Sequence, residues 1–242
     1  MCAGHSERID HVNGTCIVRP GANGRIVNAV DLDSREATPR HVPDWAPDTA
    51  VGDQVRNLRR GTGLDDVVTR VETPVPRSPQ ARYNGTSPVA GFVVAATRWA
   101  VDADVGVVDS GGIRDGPPLA GDVTVAEIRG LYPFEAPITA LELDGTQLWA
   151  LVDSAIRPDE YPDNPVWAYF DGLTVDWETD GLQEVTTQDG PLVADEQYTV
   201  ATSTYVPGSG TFDGVAEASP DDDDGPLHPD ALIAYAREEG IE

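Results

Sequence analysis

The feature that most constrains the fold is an apolar helix followed almost directly by an apolar strand. The stretch SPVAGFVVAATRWA offers Ser87 as an N-cap and Pro88 in the first turn, the residue types that helix starts favour. An apolar face recurs at helical spacing through Val89, Phe92, Val93, Ala96 and Ala100. The run DVGVVD at 104–109 then predicts a strand. A helix that comes directly before such a strand in the sequence is expected to pack on a sheet.

Shorter signals of the same kind follow along the chain. In TVAEIRGLYP, Thr124 and Glu127 predict a capping box, and Pro133 ends the helix. The stretch ITALELDGTQLWALVDSAI predicts a strand, an Asp-Gly turn and a helix. From Val166 on, alternating runs predict several strands before the closing helix ALIAYAREE. Because helices come first and strands later, the order favours an α+β fold, with a mixed β-sheet and packed helices, over a doubly wound one.

The amino-terminal part has a different character. The stretch GTCIVRPGANGRIVNAVDLD predicts two strands joined by a Gly-rich hairpin at 21–24. Residues 34–46 are polar and punctuated by prolines, which is typical of a linker. Val51, Val55 and Leu58 then recur at helical spacing and predict one helix.

The charge balance excludes some partners. The chain has 42 acidic and 16 basic residues, and every basic residue is Arg. Such a surface repels polyanions, so binding to nucleic acid or to an anionic membrane is not expected as the main role. The acidity is spread along a chain that is 40% apolar, a composition that folds. Adaptation to high salt is the most economical interpretation, because salt screens the self-repulsion, and a halophilic source is expected.

The sequence gives little indication of cysteine chemistry, a membrane span or a signal peptide. Cys2 and Cys16 lie in no CxxC pattern, so metal or redox work by cysteine is not expected. No stretch approaches the roughly 20 apolar residues of a membrane span. Met1 is followed by neither a basic nor an apolar segment of the kind that signal peptides contain. Localisation is therefore open.

One turn has the composition of an anion site. The stretch VVDSGGIRDG joins the strand at 104–109 to a turn with Gly111, Gly112 and Arg114. Glycines let backbone N–H groups approach a ligand, and a guanidinium offers a planar fork to phosphate or carboxylate. On spacing alone, an ordinary Gly-Gly turn with an exposed Arg is the commoner explanation.

Four separated blocks together resemble a known domain. DVGVVDSGGIRDG, GDVTVAEIRGLYPFEAPITALELDGTQLWALVDSAI, YFDGLTVDWE and YTVATSTYVPGSGTFDG are similar, in this order, to the C-terminal domain of the 5′-nucleotidase family. That family also includes UDP-sugar hydrolases and 2′,3′-cyclic-nucleotide phosphodiesterases. The resemblance implies a domain that binds a nucleotide or nucleotide sugar for phosphate-ester hydrolysis in the complete enzyme.

The resemblance also implies individual roles. Arg114 matches the family's arginine on the phosphate side of Asn-x-Gly-Gly-Ile-Arg, and Asp109 stands where Asn is usual, so it could repel phosphate. Phe134 and Phe212 match two aromatics that hold the base, although core filling is the alternative for both. Further substrate contacts are implied for Asp213 beside Phe212 and for Arg82.

The amino end resembles the last stretch of the family's metallophosphatase domain. In CAGHSERIDHVNG, His5 and Glu7 match late metal ligands. The family's Asp-x-His, Gly-Asp-x-x-Asp and Gly-Asn-His-Glu motifs do not occur in the sequence. We therefore expect no cofactor in this chain alone, and a pair of Zn or Mn ions in the full-length family enzyme. The expected division is a metallophosphatase remnant at 1–33, a linker and helix at 34–80, and the C-terminal domain at 81–242.

Three hypotheses follow from this combination. The leading one is a nucleotide-binding C-terminal domain that hydrolyses nothing alone, because positioning without an activated water gives no hydrolysis. A second is one half of a split metallophosphoesterase, with a separate metallophosphatase chain as partner. A third is a noncatalytic nucleotide-binding or scaffold protein that retains the fold.

Overall fold

A computed structural model describes residues 7–21, 24–78, 87–156, 167–178, 181–215 and 225–241. The chain divides into two compact units, residues 1–59 and 60–242. In the described residues, no helix combines the length and the apolarity that crossing a membrane requires.

The first unit contains two β-hairpins and a helix. Strands β1 (Glu7–Val12) and β2 (Thr15–Pro20) are antiparallel, as are β3 (Ile26–Val30) and β4 (Ala37–His41). Asn13 and Gly14 both have positive φ, of 49° and 72°, which matches the two-residue turn that suits a hairpin. The expected pairing of strands across 21–24 is wrong, because β2 pairs with β1 and β3 pairs with β4. The strand β4 also lies inside the segment expected to be a linker.

The predicted helix of the first unit is confirmed as α1 (Thr49–Arg59). Its apolar residues Val51, Val55 and Leu58 are all exposed. Leu32 and Trp45 are exposed as well. Among the described residues of this unit, only Ile26 belongs to the buried hydrophobic set, so the unit has almost no core of its own.

The second unit is built on a mixed sheet, as the sequence predicted. Its strands are β5 (Val67–Arg77), β6 (Val105–Asp109), β7 (Gly116–Thr124), β8 (Ile138–Asp144), β9 (Ala168–Asp171), β10 (Leu173–Glu178), β11 (Gly181–Thr187), β12 (Gly190–Pro191) and β13 (Gln197–Ser203). The central sheet has the order β8-β13-β6-β9, in which β13 is parallel to β6 and antiparallel to β8. The strands β5 and β7 form a separate antiparallel pair, and β10, β11 and β12 form a small sheet.

The described residues of this unit also form five α-helices. They are α2 (Pro88–Trp99), α3 (Val125–Leu131), α4 (Gly145–Ser154), α5 (Tyr205–Ser209) and α6 (His228–Glu238). The predicted starts of the first two are confirmed: Ser87 accepts a hydrogen bond from the Ala90 N–H, and Thr124 and Glu127 form a capping box. The Asp-Gly turn after β8 is a helix start, with Asp144 and Gln147 forming a second capping box.

Among the described residues of the second unit, three hydrophobic clusters form, and two of them are large. One is centred on α2 and includes Val89, Val93, Val108, Leu131 and Leu232. The other includes Val107, Leu148, Leu151, Val200 and Phe212. The buried strand β6 contributes Val108 to the first cluster and Val107 to the second, as expected for side chains that alternate across a strand. The turn after β6 is thereby held on a rigid support.

Candidate functional site

A cavity of about 790 Å³ lies in the second unit, where three chain segments meet. Its lining residues come from the end of β6 and the turn after it, from the segment after α3, and from the end of β13 and the start of α5: Asp109, Gly111, Gly112, the five residues 132–136, Ser203 and Tyr205. Because β6 and β13 are parallel neighbours, their carboxyl ends reach the same edge of the sheet, which is where open sheets commonly bind ligands. The cavity therefore forms where the topology brings two strand ends together.

Gly112 allows the turn to lie against the ring of Tyr132. A Cβ on Gly112 would lie 2.5 Å from Cε2 and 2.8 Å from Oη of Tyr132, closer than real Cβ atoms approach their neighbours. Tyr132 is buried and packs on the imidazole of His228 at 4.2 Å between ring centroids. A side chain at position 112 would therefore have to move a ring that is already packed.

Two aromatic rings at the cavity are accessible to a ligand. Phe134 is 39% exposed and Tyr205 is 65% exposed, and each lines the cavity. Tyr132 supports Phe134 edge to face, with centroids 5.5 Å apart, an arrangement that aromatic pairs prefer. The cavity thus offers a braced ring on one segment and a second exposed ring on another.

Arg114 lies at the same place. Its Cζ atom is 4.9 Å from the centroid of Phe134, which is within the range of a cation–π contact. Its Nη1 is 3.5 Å from the carbonyl oxygen of Gly111, and its backbone N–H donates to the carbonyl of Leu131 at 2.8 Å. The guanidinium is therefore held next to a ring that lines the cavity.

Arg77 supports this turn from inside the protein. It is 7% exposed, and its Nη2 donates to the carbonyl oxygens of Arg114, at 3.3 Å, and Gly130, at 3.2 Å. Burial lowers the pKa of Arg77, and the nearby carboxylates of Glu127 and Asp115 oppose that shift. The side chain ties the turn that carries Arg114 to the end of α3.

Asp109 is the half-buried carboxyl group of the cavity. Burial raises its pKa, while the backbone N–H of Gly112 and the charge of Arg114 act in the opposite direction. Burial and the charge of Asp109 raise the pKa of the Tyr132 hydroxyl. The carboxylate of Asp109 therefore lines the cavity, and the guanidinium of Arg114 lies beside one of its lining rings.

The structure brings several of the predicted site residues together. Asp109, Gly111, Gly112 and Phe134 line one cavity, and Arg114 stacks on Phe134. Their substrate contacts themselves stay predictions.

The other predicted site residues lie elsewhere. Phe212 is 2% exposed and packs in the core with Leu148 and Leu151, which matches the core-filling alternative, and its role at the base stays a prediction. Asp213 is exposed, and its backbone N–H donates to Ser154 Oγ at 3.0 Å. Glu7 is exposed on β1. Arg82 and His5 lie outside the described residues. Within the part of the chain that the structure describes, no group of three or more His, Cys, Asp or Glu residues could hold a metal ion.

Sequence reasoning missed Tyr205, Tyr132 and Ser203. Tyr205 follows a strand whose parallel pairing with β6 spans almost 100 residues of sequence, so no local pattern could place it beside Phe134. The only available signal was an aromatic residue just after a predicted strand, and that pattern alone is common.

The fold is that of an α+β domain, and its cavity is a candidate binding site. The chain belongs to the 5′-nucleotidase C-terminal domain family, whose model matches residues 67–217. A curated relative, endonuclease YhcR of Bacillus subtilis (strain 168), is 23% identical over 222 residues, which cover 84% of this chain and 18% of the relative. The chain therefore spans about a fifth of the length of that protein.

Solved structures share the fold. The 5′-nucleotidase precursor from Thermus thermophilus superposes with a TM-score of 0.71 at 17% identity, covering 97% of this chain and 53% of that one. The sulfate thiohydrolase SoxB of the same organism, solved with glycerol, gives a TM-score of 0.61 at 19% identity, covering 97% of this chain and 46% of that one. This chain thus corresponds to about half of each. Since a nucleotidase and a thiohydrolase share the fold, the substrate has to be argued from the site.

Proposed function

We propose that this chain binds a nucleotide or nucleotide sugar and serves a 5′-nucleotidase-like hydrolase. The observation that carries the proposal is the pair of exposed rings, Phe134 and Tyr205, on one cavity beside the guanidinium of Arg114. A planar base fits between two rings, and stacking contributes about 1 to 3 kcal/mol per base. Arg114 would then pair with the phosphate through its planar fork.

Tyr205 takes the role of second ring in this proposal because Phe212 is covered by the core. Gly111 and Gly112 line the same cavity and remain part of the proposal as backbone contacts, although Asp109 and Tyr132 take the space that their side chains would fill. Arg82 as a second phosphate contact and Asp213 as a contact to base or ribose remain part of the proposal on the strength of the family resemblance.

We further propose that the chemistry of hydrolysis depends on a metallophosphatase domain that holds a pair of Zn or Mn ions. Residues 1–33 would be a remnant of that domain, with His5 and Glu7 as late ligands. Leu32 in that segment, and Trp45, Val51 and Leu58 after it, are exposed, and a partner domain could pack on the apolar surface that they offer. The metallophosphatase domain would cover it.

The binding claim is tested by calorimetric titration of the protein with AMP in molar salt. Phe134→Ala and Tyr205→Ala should each weaken binding about 5-fold to 150-fold, which is the loss of one stacking contact. Trp149→Ala is the matched control, because Trp149 is similarly exposed and does not line the cavity. The protein alone with manganese should release no phosphate.

Equal affinity for AMP in the unmodified protein and both ring variants would contradict the proposal. So would the absence of binding to the unmodified protein when its fold is intact. Phosphate release by this chain alone would contradict the assignment of the metal ions to another domain.

A further inference from the structure

Asp109 is the most unusual group of the cavity for a site that is proposed to take an anion. It lies at the carboxyl end of β6 on the same wall as Gly111 and Gly112. Its Oδ2 atom lies 3.2 Å from where a Cβ on Gly111 would be, so the carboxylate occupies the space alongside the bare turn. A phosphate in that space would meet a negative charge.

The chemistry of a carboxylate limits what can lie against it. When ionised it only accepts hydrogen bonds, through two oxygens and about four lone-pair positions. The backbone N–H groups of Gly112 and of Asp109 itself use part of that capacity, and two such bonds do not exhaust about four lone-pair positions. An amide side chain at this position would instead present one acceptor and one donor group.

Arg114 marks where the anionic part of a ligand fits better. Its guanidinium stacks on Phe134 at the margin of the cavity, while Asp109 is half-buried on the wall. Glu135, the other acidic lining residue, is exposed. Asp109 thus offers acceptors to a ligand in the cavity, and Arg114 offers donors beside Phe134.

We propose that Asp109 determines specificity by accepting hydrogen bonds from a pair of adjacent neutral donors on the nucleoside part of the ligand. The inference rests on the proposed function of the cavity. Two parts of a nucleoside carry such donors: the vicinal hydroxyls of ribose, and a base edge with neighbouring ring N–H and amino groups, as in guanine. Phosphate is kept on the Arg114 side.

The test measures the affinity of guanosine, adenosine and their 2′,3′-dideoxy counterparts for the unmodified protein and for Asp109→Asn. Nucleosides isolate the neutral part of the ligand from the phosphate. If the donors are on the base, guanosine binds more tightly than adenosine; if they are on ribose, each ribonucleoside binds more tightly than its dideoxy form. The expected preference is about 10-fold to 100-fold, as for hydrogen bonds to a charged group, and Asp109→Asn should remove most of it.

Asp144→Asn is the matched control, since Asp144 is half-buried outside the cavity and Asn also caps helices well. It should keep the preference intact. Asp109→Ser provides a second variant without the carboxylate should Asp109→Asn fold poorly.

Two results would overturn the inference, and only the second would also overturn the proposed nucleotide binding. If nucleosides bind but show no preference, or keep the same preference in both Asp109 variants, the specificity role is wrong and nucleotide binding stands. If no nucleoside and no AMP binds to the folded protein, the proposed function falls together with the inference.

Discussion

At the scale of single residues, His228 is a buried imidazole whose environment fixes its protonation. Its Nε2 is 2.8 Å from Oγ1 of Thr97, and that hydroxyl donates its proton to the carbonyl of Val93 at 2.8 Å. The imidazole must therefore donate through Nε2–H, which leaves Nδ1 as the unprotonated nitrogen. Among the described residues Nδ1 has no hydrogen-bond partner. A proton there would place a charge in the core.

This environment predicts a pH dependence of stability. Burial lowers the pKa of His228 from its ordinary value of 6.5 to about 4. Because the unfolded chain takes up the proton first, the free energy of unfolding should decline as the pH falls from about 6.5 to about 4 and level off below, by about 3 kcal/mol in total. Urea unfolding at pH values of about 7, about 5.5 and about 4 would measure it.

His228→Gln supplies the comparison. The variant is expected to be less stable at neutral pH, and the His228 contribution to the acid slope should vanish. Asp109, whose raised pKa acts with the opposite sign, contributes to both proteins and cancels in the difference. An identical slope in both proteins would show that His228 does not hold this role.

At the scale of elements, the turn after β6 and the helix α3 provide a matched pair of glycines. Gly112→Ala would place a methyl group 2.5 Å from the Tyr132 ring, and overpacking of this kind costs about 1 to 3 kcal/mol. A Cβ on Gly130 in α3 meets no atom within 4 Å, and Ala is favoured over Gly in a helix by about 0.5 to 1 kcal/mol. Thermal unfolding should show a lower Tm for Gly112→Ala and an unchanged or higher Tm for Gly130→Ala.

A Tm for Gly112→Ala equal to that of the unmodified protein would mean that Tyr132 moves aside freely. In that case the support of Phe134 by Tyr132 would not be rigid, and Phe134 would lose its role as a fixed platform.

Some helices and strands could be predicted from the sequence, and others could not. The helix α2 and the strand β6 were predictable because N-cap, proline and apolar spacing are all local. The capping box of α3 was readable for the same reason. The hairpin of β1 and β2 was missed because the prediction placed the turn in the glycine-rich segment at 21–24. The turn of this hairpin is instead formed by Asn13 and Gly14.

The candidate site shows the same division. Asp109, Gly111, Gly112 and Arg114 were found because they share one short turn, and Phe134 because of the family resemblance. Tyr205 reaches the cavity only through the parallel pairing of β13 with β6. Long-range pairing of this kind leaves no local pattern in a single sequence.

At the scale of the whole molecule, the net charge of −26 predicts a strong response to salt. We propose that the chain is adapted to high salt, because mutual repulsion of so many carboxylates destabilises the compact state. Raising the salt from about 0.1 M to about 1 M shortens the Debye length from about 10 Å to about 3 Å. The Tm should rise over that range, and a Tm that stays constant or falls would contradict the proposal.

In the proposed complex, the cavity of the second unit holds a nucleotide base between Phe134 and Tyr205. A crystal structure of the protein grown in molar salt with AMP measures this directly. We expect the base to stack between these two rings and the phosphate to lie on the guanidinium of Arg114. AMP bound elsewhere, or a base that contacts neither ring, would contradict it.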